Sequence, residues 1–262
     1  MLAGSSFEVV VTFFALNRLG YAVLFLSTRL TAPAYIRLME MANCSQLIKA
    51  NQFQQVVTEI CAERPGCSTF SLLQREGWFN RPVSTPLFKR PGADPAREGK
   101  KIAWILHSSG STGFPKPIFL TNLQTLANFC KSFGLRLFTI SPLFHSHALM
   151  EFGRAFYTRA PAYLGNHSLP VTYQNLFDAL QVAKPQQISA VPYVIKLLAE
   201  KQEGIQALAR PQLVLYGGSS CPDDLGDRLV AQGVNLVGNY GATETGQIMT
   251  SFRAPEDKEW QY

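Results

Sequence analysis

Short apolar runs recur along this chain, each followed by a stretch with helical spacing, and that alternation constrains the fold more than any other feature. Residues 102–106, 137–140, 188–191, 213–216 and 236–239 are such runs, dominated by Ile, Leu and Val. Apolar runs this short, bounded by turn residues, read as strands buried on both faces. Strands alternating with helices imply an α/β fold of mostly parallel sheets covered by helices. The pattern is already present near the start. Residues 7–18 have helical spacing, 21–26 read as a buried strand, and 32–42 as a helix with Thr31 as its cap and Pro33 in its first turn. A short strand at 46–48 and a helix at 51–62 follow. Between 80 and 100 the periodicity stops and Pro82, Pro86, Pro91, Gly92 and Pro95 accumulate, which predicts an exposed connection.

With 262 residues, 47% hydrophobic and 16% charged, the chain can bury a sizeable core, as one large domain or two small ones. The formal charge of +6 raises nucleic acid as a partner, but the basic residues are scattered and line no single face. The densest group, Lys89, Arg90, Arg97, Lys100 and Lys101, lies among prolines with Asp94 and Glu98 between, and reads as a solvated linker. Five cysteines leave one unpaired in any disulfide scheme, so reduced thiols in a cytoplasmic protein are expected. Neither Cys61 with Cys67 nor His145 with His147 has the companions of a structural zinc site. The apolar start lacks a basic leader and is interrupted by Asn17 and Arg18, and no run reaches the ~18 apolar residues of a membrane span.

Chemistry concentrates after the run at 102–106. His107-Ser108-Ser109-Gly110-Ser111-Thr112-Gly113-Phe114-Pro115-Lys116-Pro117 is a loop of small hydroxylated residues and glycine ending in a lysine. Glycine lets backbone fold closely round an anion, amides and hydroxyls donate hydrogen bonds, and the lysine adds positive charge, so the loop suits phosphate. It is not a Walker loop, because proline stands on both sides of Lys116. A flexible Gly/Ser connection is the structural alternative. A second segment, Asn239-Tyr240-Gly241-Ala242-Thr243-Glu244-Thr245-Gly246, offers a ring for a base and, in Thr243 and Glu244, hard oxygen ligands for magnesium.

Together the two segments, in this order and about 130 residues apart, resemble the adenylate-forming superfamily of acyl-CoA ligases, luciferases and nonribosomal-synthetase adenylation domains. The family loop usually has glycine after its lysine; Pro117 there, with His107-Ser108-Ser109, resembles the variant of fungal nonribosomal-synthetase-like reductases. The resemblance implies that Ser108, Ser109, Gly110, Ser111, Thr112, Gly113 and Lys116 hold phosphate, that Asn239, Tyr240 and Gly241 meet adenosine, that Thr243 contacts phosphate, and that Glu244 with Thr112 holds Mg2+. Three further segments are similar to family stretches. One is Pro142-Leu143-Phe144-His145-Ser146-His147, whose His145 is expected near the acid. The second is the turn at Val191 and Pro192, and the third is Gly217-Gly218-Ser219, a glycine turn at the pocket floor. Without the family context His145 and His147 would read as ordinary hydrogen-bonded histidines.

The implied reaction is attack of a substrate carboxylate on the α-phosphate of ATP to give an acyl adenylate and pyrophosphate, with ATP and a small carboxylic acid as ligands. The family's ribose-binding aspartate and small C-terminal lysine domain are expected after the second motif. The sequence is therefore expected to be a piece of an adenylation core, completed by a missing part or a separate chain, or else a binding or regulatory remnant. An acyl-CoA ligase piece shares the same motifs.

Overall fold

The computed structural model describes residues 1–77, 79, 94–108, 113–254 and 257–260. It divides into two units, Met1–Leu126 and Ala127–Tyr262.

In the first unit α1 (Phe7–Leu19), capped by Ser6 and ended by a left-handed Gly20, leads to β1 (Val23–Leu24). Then come α2 (Ala32–Met41), β2 (Gln46–Lys49), α3 (Gln54–Glu63) and β3 (Ser68–Ser71). Residues 95–100, expected as part of an exposed connection, form α4 (Pro95–Lys100). Asp94 caps it through the Ala96 N–H and proline occupies the first turn, so local capping makes a helix where apolar periodicity gave no signal. Residues 80–93 of that connection lie outside the described residues. The antiparallel pair β4 (Ile102–His107) and β5 (Pro117–Thr121) completes a three-stranded sheet of order β1-β4-β5, and β2 pairs with β3 in parallel. Asn17, which interrupts the apolar start, is a tie: its amide donates to Ala103 O at 3.0 Å and its oxygen accepts from Trp104 Nε1 at 2.5 Å. Trp104 is in turn packed edge-on by Phe13 and Phe25.

From α5 (Asn122–Phe129) the chain enters the second unit. There the order is β6 (Leu137–Thr139), α6 (Ser146–Thr158), β7 (Ala162–Leu164), α7 (Tyr173–Ala183), β8 (Gln187–Ala190), α8 (Pro192–Leu198), α9 (Gln202–Ala209), β9 (Leu213–Gly217), α10 (Asp223–Ala231), β10 (Leu236–Ala242) and β11 (Gly246–Thr250). The sheet order is β11-β10-β9-β8-β6-β7, parallel throughout except for β10 with β11. On one face Ile188, Val214 and Leu236 pack with Ile195, Leu208 and Leu229 of the covering helices, and Trp260 closes this core against α10 through a 2.9 Å bond to Asp227. On the other face α6 meets the sheet through polar groups. Gln187 donates to Glu151 at 2.7 Å, Glu151 pairs with Arg154, and Arg154 Nε donates to Asn128 O at 3.1 Å. Among the described residues no helix is long and apolar enough to cross a membrane.

Candidate nucleotide and acid site

The first motif loop joins two antiparallel strands. β4 and β5 pair His107 with Pro117, and residue 108 faces residue 116 across the loop's mouth. Ser108 N–H donates to Lys116 O at 3.0 Å, and Lys116 N–H donates to Ser108 Oγ at 3.0 Å. The Ser108 oxygen, expected to face phosphate, therefore serves to close the loop. Pro117, the departure from the usual family pattern, stands at the start of an edge strand, where a missing N–H costs the sheet nothing. His107 fixes the entry. Its Nε2 accepts from Ser27 N–H at 3.0 Å, so Nδ1 carries the proton and donates to Ser108 O at 2.9 Å. Burial lowers its pKa and keeps the ring neutral. Gly113 has φ +136, a conformation that favours glycine, and Phe114 lies under the Arg37 guanidinium. The Lys116 side chain is exposed and, among the described residues, forms no ion pair. Ser109, Gly110, Ser111 and Thr112 lie outside the described residues, and so does the expectation that Thr112 ligates magnesium.

The second motif is also a hairpin. β10 runs through Asn239, Tyr240 and Gly241 to Ala242, turns at Thr243, Glu244 and Thr245, and returns as β11. Gly241 is required by close approach, since a Cβ there would stand 2.3 Å from Gly246 O. Gly246 has φ +69 and lies against the Asn128 amide, while Lys131 Nζ donates to Gln247 O at 2.7 Å. The base is thus tied down and the tip is free to meet a ligand: Tyr240 is 68% exposed and Glu244 is exposed. A bulge between Tyr240 and Gly241 breaks the register at the motif itself.

The three weaker segments converge on the carboxyl ends of the parallel strands. A Cβ on Gly217, at the end of β9, would lie 3.4 Å from His147 Nδ1, 3.4 Å from Asn239 Nδ2 and 3.0 Å from Asn239 O. His147 Nε2 meets Ser189 Oγ of β8 at 2.7 Å. Gly218, with φ +86, follows directly and lies beside Val191; Ser219 beyond it is exposed. His145, expected near the acid, is the exposed N-cap of α6 with its ring against Phe144. It is His147, two residues on, that stands beside Gly217 and Asn239, and burial lowers its pKa, partly offset by the Glu151 charge. Sequence reasoning named His147 only in passing and missed Ser189. The available signal was a serine inside a buried parallel strand, which needs a hydrogen-bond partner from a covering element.

Ligands of open parallel sheets sit outside the carboxyl ends of the strands, where Gly217, Asn239 and the hairpin tip lie. Among the described residues no three His, Cys, Asp or Glu side chains gather into a metal cage. A cation held by Glu244 would therefore complete its shell with phosphate and water oxygens, the manner in which magnesium is commonly bound.

A family profile described as AMP-binding enzyme matches residues 1–262. The chain is 29% identical over 279 residues to a non-ribosomal peptide synthetase of Acremonium egyptiacum, covering 98% of this chain and 24% of that protein. It is 27% identical over 277 residues to an adenylate-forming reductase of Stachybotrys bisbyi, covering 98% of this chain and 25% of that one. The chain thus spans about a quarter of the length of these curated relatives. Among solved structures, an amide bond synthetase of Marinactinospora thermotolerans shares the fold with a TM-score of 0.78 at 19% identity, covering 98% of this chain and 52% of that chain.

Proposed function

Because the chain belongs to the AMP-binding enzyme family, we propose that it forms the nucleotide-binding core of an enzyme that activates a carboxylic acid with ATP as an acyl adenylate. The observation that carries this reading is the gathering of Gly217, Asn239 and the Tyr240–Glu244 stretch at the carboxyl ends of parallel strands, within one unit. Its relatives include an adenylate-forming reductase.

In this reading Tyr240 stacks on adenine, Gly241 lets the base approach the backbone, and Thr243 donates to phosphate. Glu244 would hold magnesium, which would supply positive charge against the phosphate oxygens. Lys116 and the loop amides that follow Ser108 steady the β- and γ-phosphates, and the acid lies by Gly217, Gly218 and Ser219. None of these groups is a nucleophile. The substrate carboxylate supplies the attacking oxygen, and the protein's task is to hold it in line with the α-phosphate while positive groups offset charge on the departing pyrophosphate. The reduction or condensation steps of the longer relatives are no part of the proposal.

Calorimetric titration of the chain with ATP and magnesium tests it, beside Lys116→Ala and Glu244→Ala. Each substitution removes one charge-assisted contact and is expected to weaken binding by about tenfold or more. A folded wild-type chain that binds no ATP overturns the reading.

A further inference from the structure

Three of the five cysteines gather at one place in the first unit, and a turn written into the sequence brings two of them together. α3 ends at Glu63, and Arg64-Pro65-Gly66-Cys67 reverse the chain before β3 begins at Ser68. Proline in second place, with glycine third at φ +99, is the residue pattern of a type II turn, closed here by the Cys67 N–H donating to Arg64 O at 3.1 Å. The reversal returns Cys67 to the last turn of α3, where Cys61 stands, and the two thiols are in hydrogen-bonding contact. Both are partly exposed and rest on the same apolar cluster. Cys44 comes from just before β2, the strand paired with β3, and lies near enough for its charge to act on Cys67, while its own thiol donates to Gln46 O at 3.2 Å.

Among the described residues no three His, Cys, Asp or Glu side chains gather into a metal cage, so the partner at hand for each of these two thiols is the other. Burial, joined by the neighbouring thiols, raises the Cys67 pKa, and the nearby Arg64 charge works against it. Arg64 Nη1 is buried with no hydrogen-bond partner among the described residues, so a cation stands beside the transient thiolate that thiol–disulfide exchange requires. A protonated pair at rest, with charge support for its reacting form, suits thiols that stay reduced until an oxidant arrives.

We propose that Cys61 and Cys67 are an oxidisable dithiol, which a low-molecular-weight disulfide converts into an internal disulfide tying the end of α3 to the start of β3. One thiolate of the pair attacks a sulfur of the external disulfide, breaking its S–S bond and releasing one small thiol. The other then attacks the protein sulfur of that mixed disulfide, forming the Cys61–Cys67 bond and releasing the second small thiol. The pair loses two protons and two electrons, and the external disulfide gains them as two thiols. Cys44 stays outside the pair, its hydrogen engaged by Gln46 O. Nothing in this step draws on the nucleotide or acid site.

The test incubates the 262-residue chain with glutathione disulfide, blocks the remaining thiols and maps tryptic peptides without reduction. Pro65 protects the bond after Arg64, so trypsin leaves 50–75 whole with both cysteines, while Cys44 lies in 38–49. Peptide 50–75 is expected to be two hydrogens lighter and free of glutathione. In Cys61→Ser, glutathione is expected to remain on Cys67, as it does on Cys130, whose side-chain partner is the Tyr157 hydroxyl and not a thiol. Repeating the reaction in urea separates the fold from mere closeness in sequence. The ratio of internal disulfide to glutathione adduct is expected to fall about tenfold or more once α3 and the turn are lost. Glutathione retained on the wild-type pair, a link between 38–49 and 50–75, an unaltered 50–75 while Cys130 carries glutathione, or an unchanged ratio in urea overturns the proposal.

Discussion

Replacing Gly241 by alanine tests whether the second motif is held by its hairpin. The added Cβ would stand 2.3 Å from Gly246 O and 3.1 Å from Gly246 C, while ordinary contact begins at 3.4 Å. The strands must therefore part by about 1 Å, the difference between 3.4 and 2.3, and the obstacle is backbone, which no rotamer change relieves. Overpacking of this kind costs about 1–3 kcal/mol, and loosening a backbone hydrogen bond beside it adds about 1 more. We expect a loss of about 3 kcal/mol, or roughly 6–12 °C in melting temperature for a unit of this size. The loss is limited by the alternative of peeling β11 away, which would appear as faster amide exchange at Gln247–Thr250. Gly233→Ala is the control: φ is +84 but nothing lies within 4 Å, so only strain of about 1–2 kcal/mol is added. Thermal melts by circular dichroism, with amide exchange, decide the matter. If Gly241→Ala melts no lower than Gly233→Ala and exchanges like wild type, the reasoning is wrong.

Two predictions concern buried polar groups. Arg154→Met leaves Glu151, 3% exposed, with Gln187 as its remaining side-chain partner, and is expected to lower the urea unfolding free energy by about 3–5 kcal/mol, whereas Arg154→Met with Glu151→Gln recovers part of that; equal midpoints for the single variant and wild type would refute it. Burial lowers the pKa of His107, His147 and His167, so below about 6.5 the unfolded chain binds more protons than the folded one, and stability present above that pH is lost as pH falls. The urea midpoint is expected to be lower at pH 5.5 than at 7.5, with a shallower dependence in His147→Gln, and a flat or reversed profile would count against the assignment.

Particular residues show where the sequence was informative and where it was not. The runs at 102–106, 188–191 and 213–216 became β4, β8 and β9 because their side chains are buried on both faces, so hydrophobicity alone marks them. β3 was missed because Ser68, Thr69, Phe70 and Ser71 are all exposed and show no apolar pattern. β5 and β11 were missed for a related reason: each is a partly exposed edge strand, recognisable through its partner and not through its own composition. Within the stretch expected as an exposed connection at 80–100, Asp94 and Pro95 start a short helix without buried residues by capping, a signal that periodicity overlooks.

The same contrast separates the two parts of the candidate site. A parallel strand leaves the sheet into a long crossover, so neighbouring strand ends bring together residues far apart in the chain. His147, Ser189, Gly217 and Asn239 meet in that manner, from α6, β8, β9 and β10, and no local string announces them. An antiparallel edge strand lets the chain turn back within a few residues, with both arms held in register. Among the described residues, the antiparallel pairs are β4 with β5 and β10 with β11, and these frame the two motif loops. Consecutive residues at a hairpin tip keep fixed relative positions, so a group of donors and a carboxylate needed together can be encoded as one short word. The two motifs are legible because the backbone around them is local, and the cluster around Gly217 is not because it is assembled across crossovers.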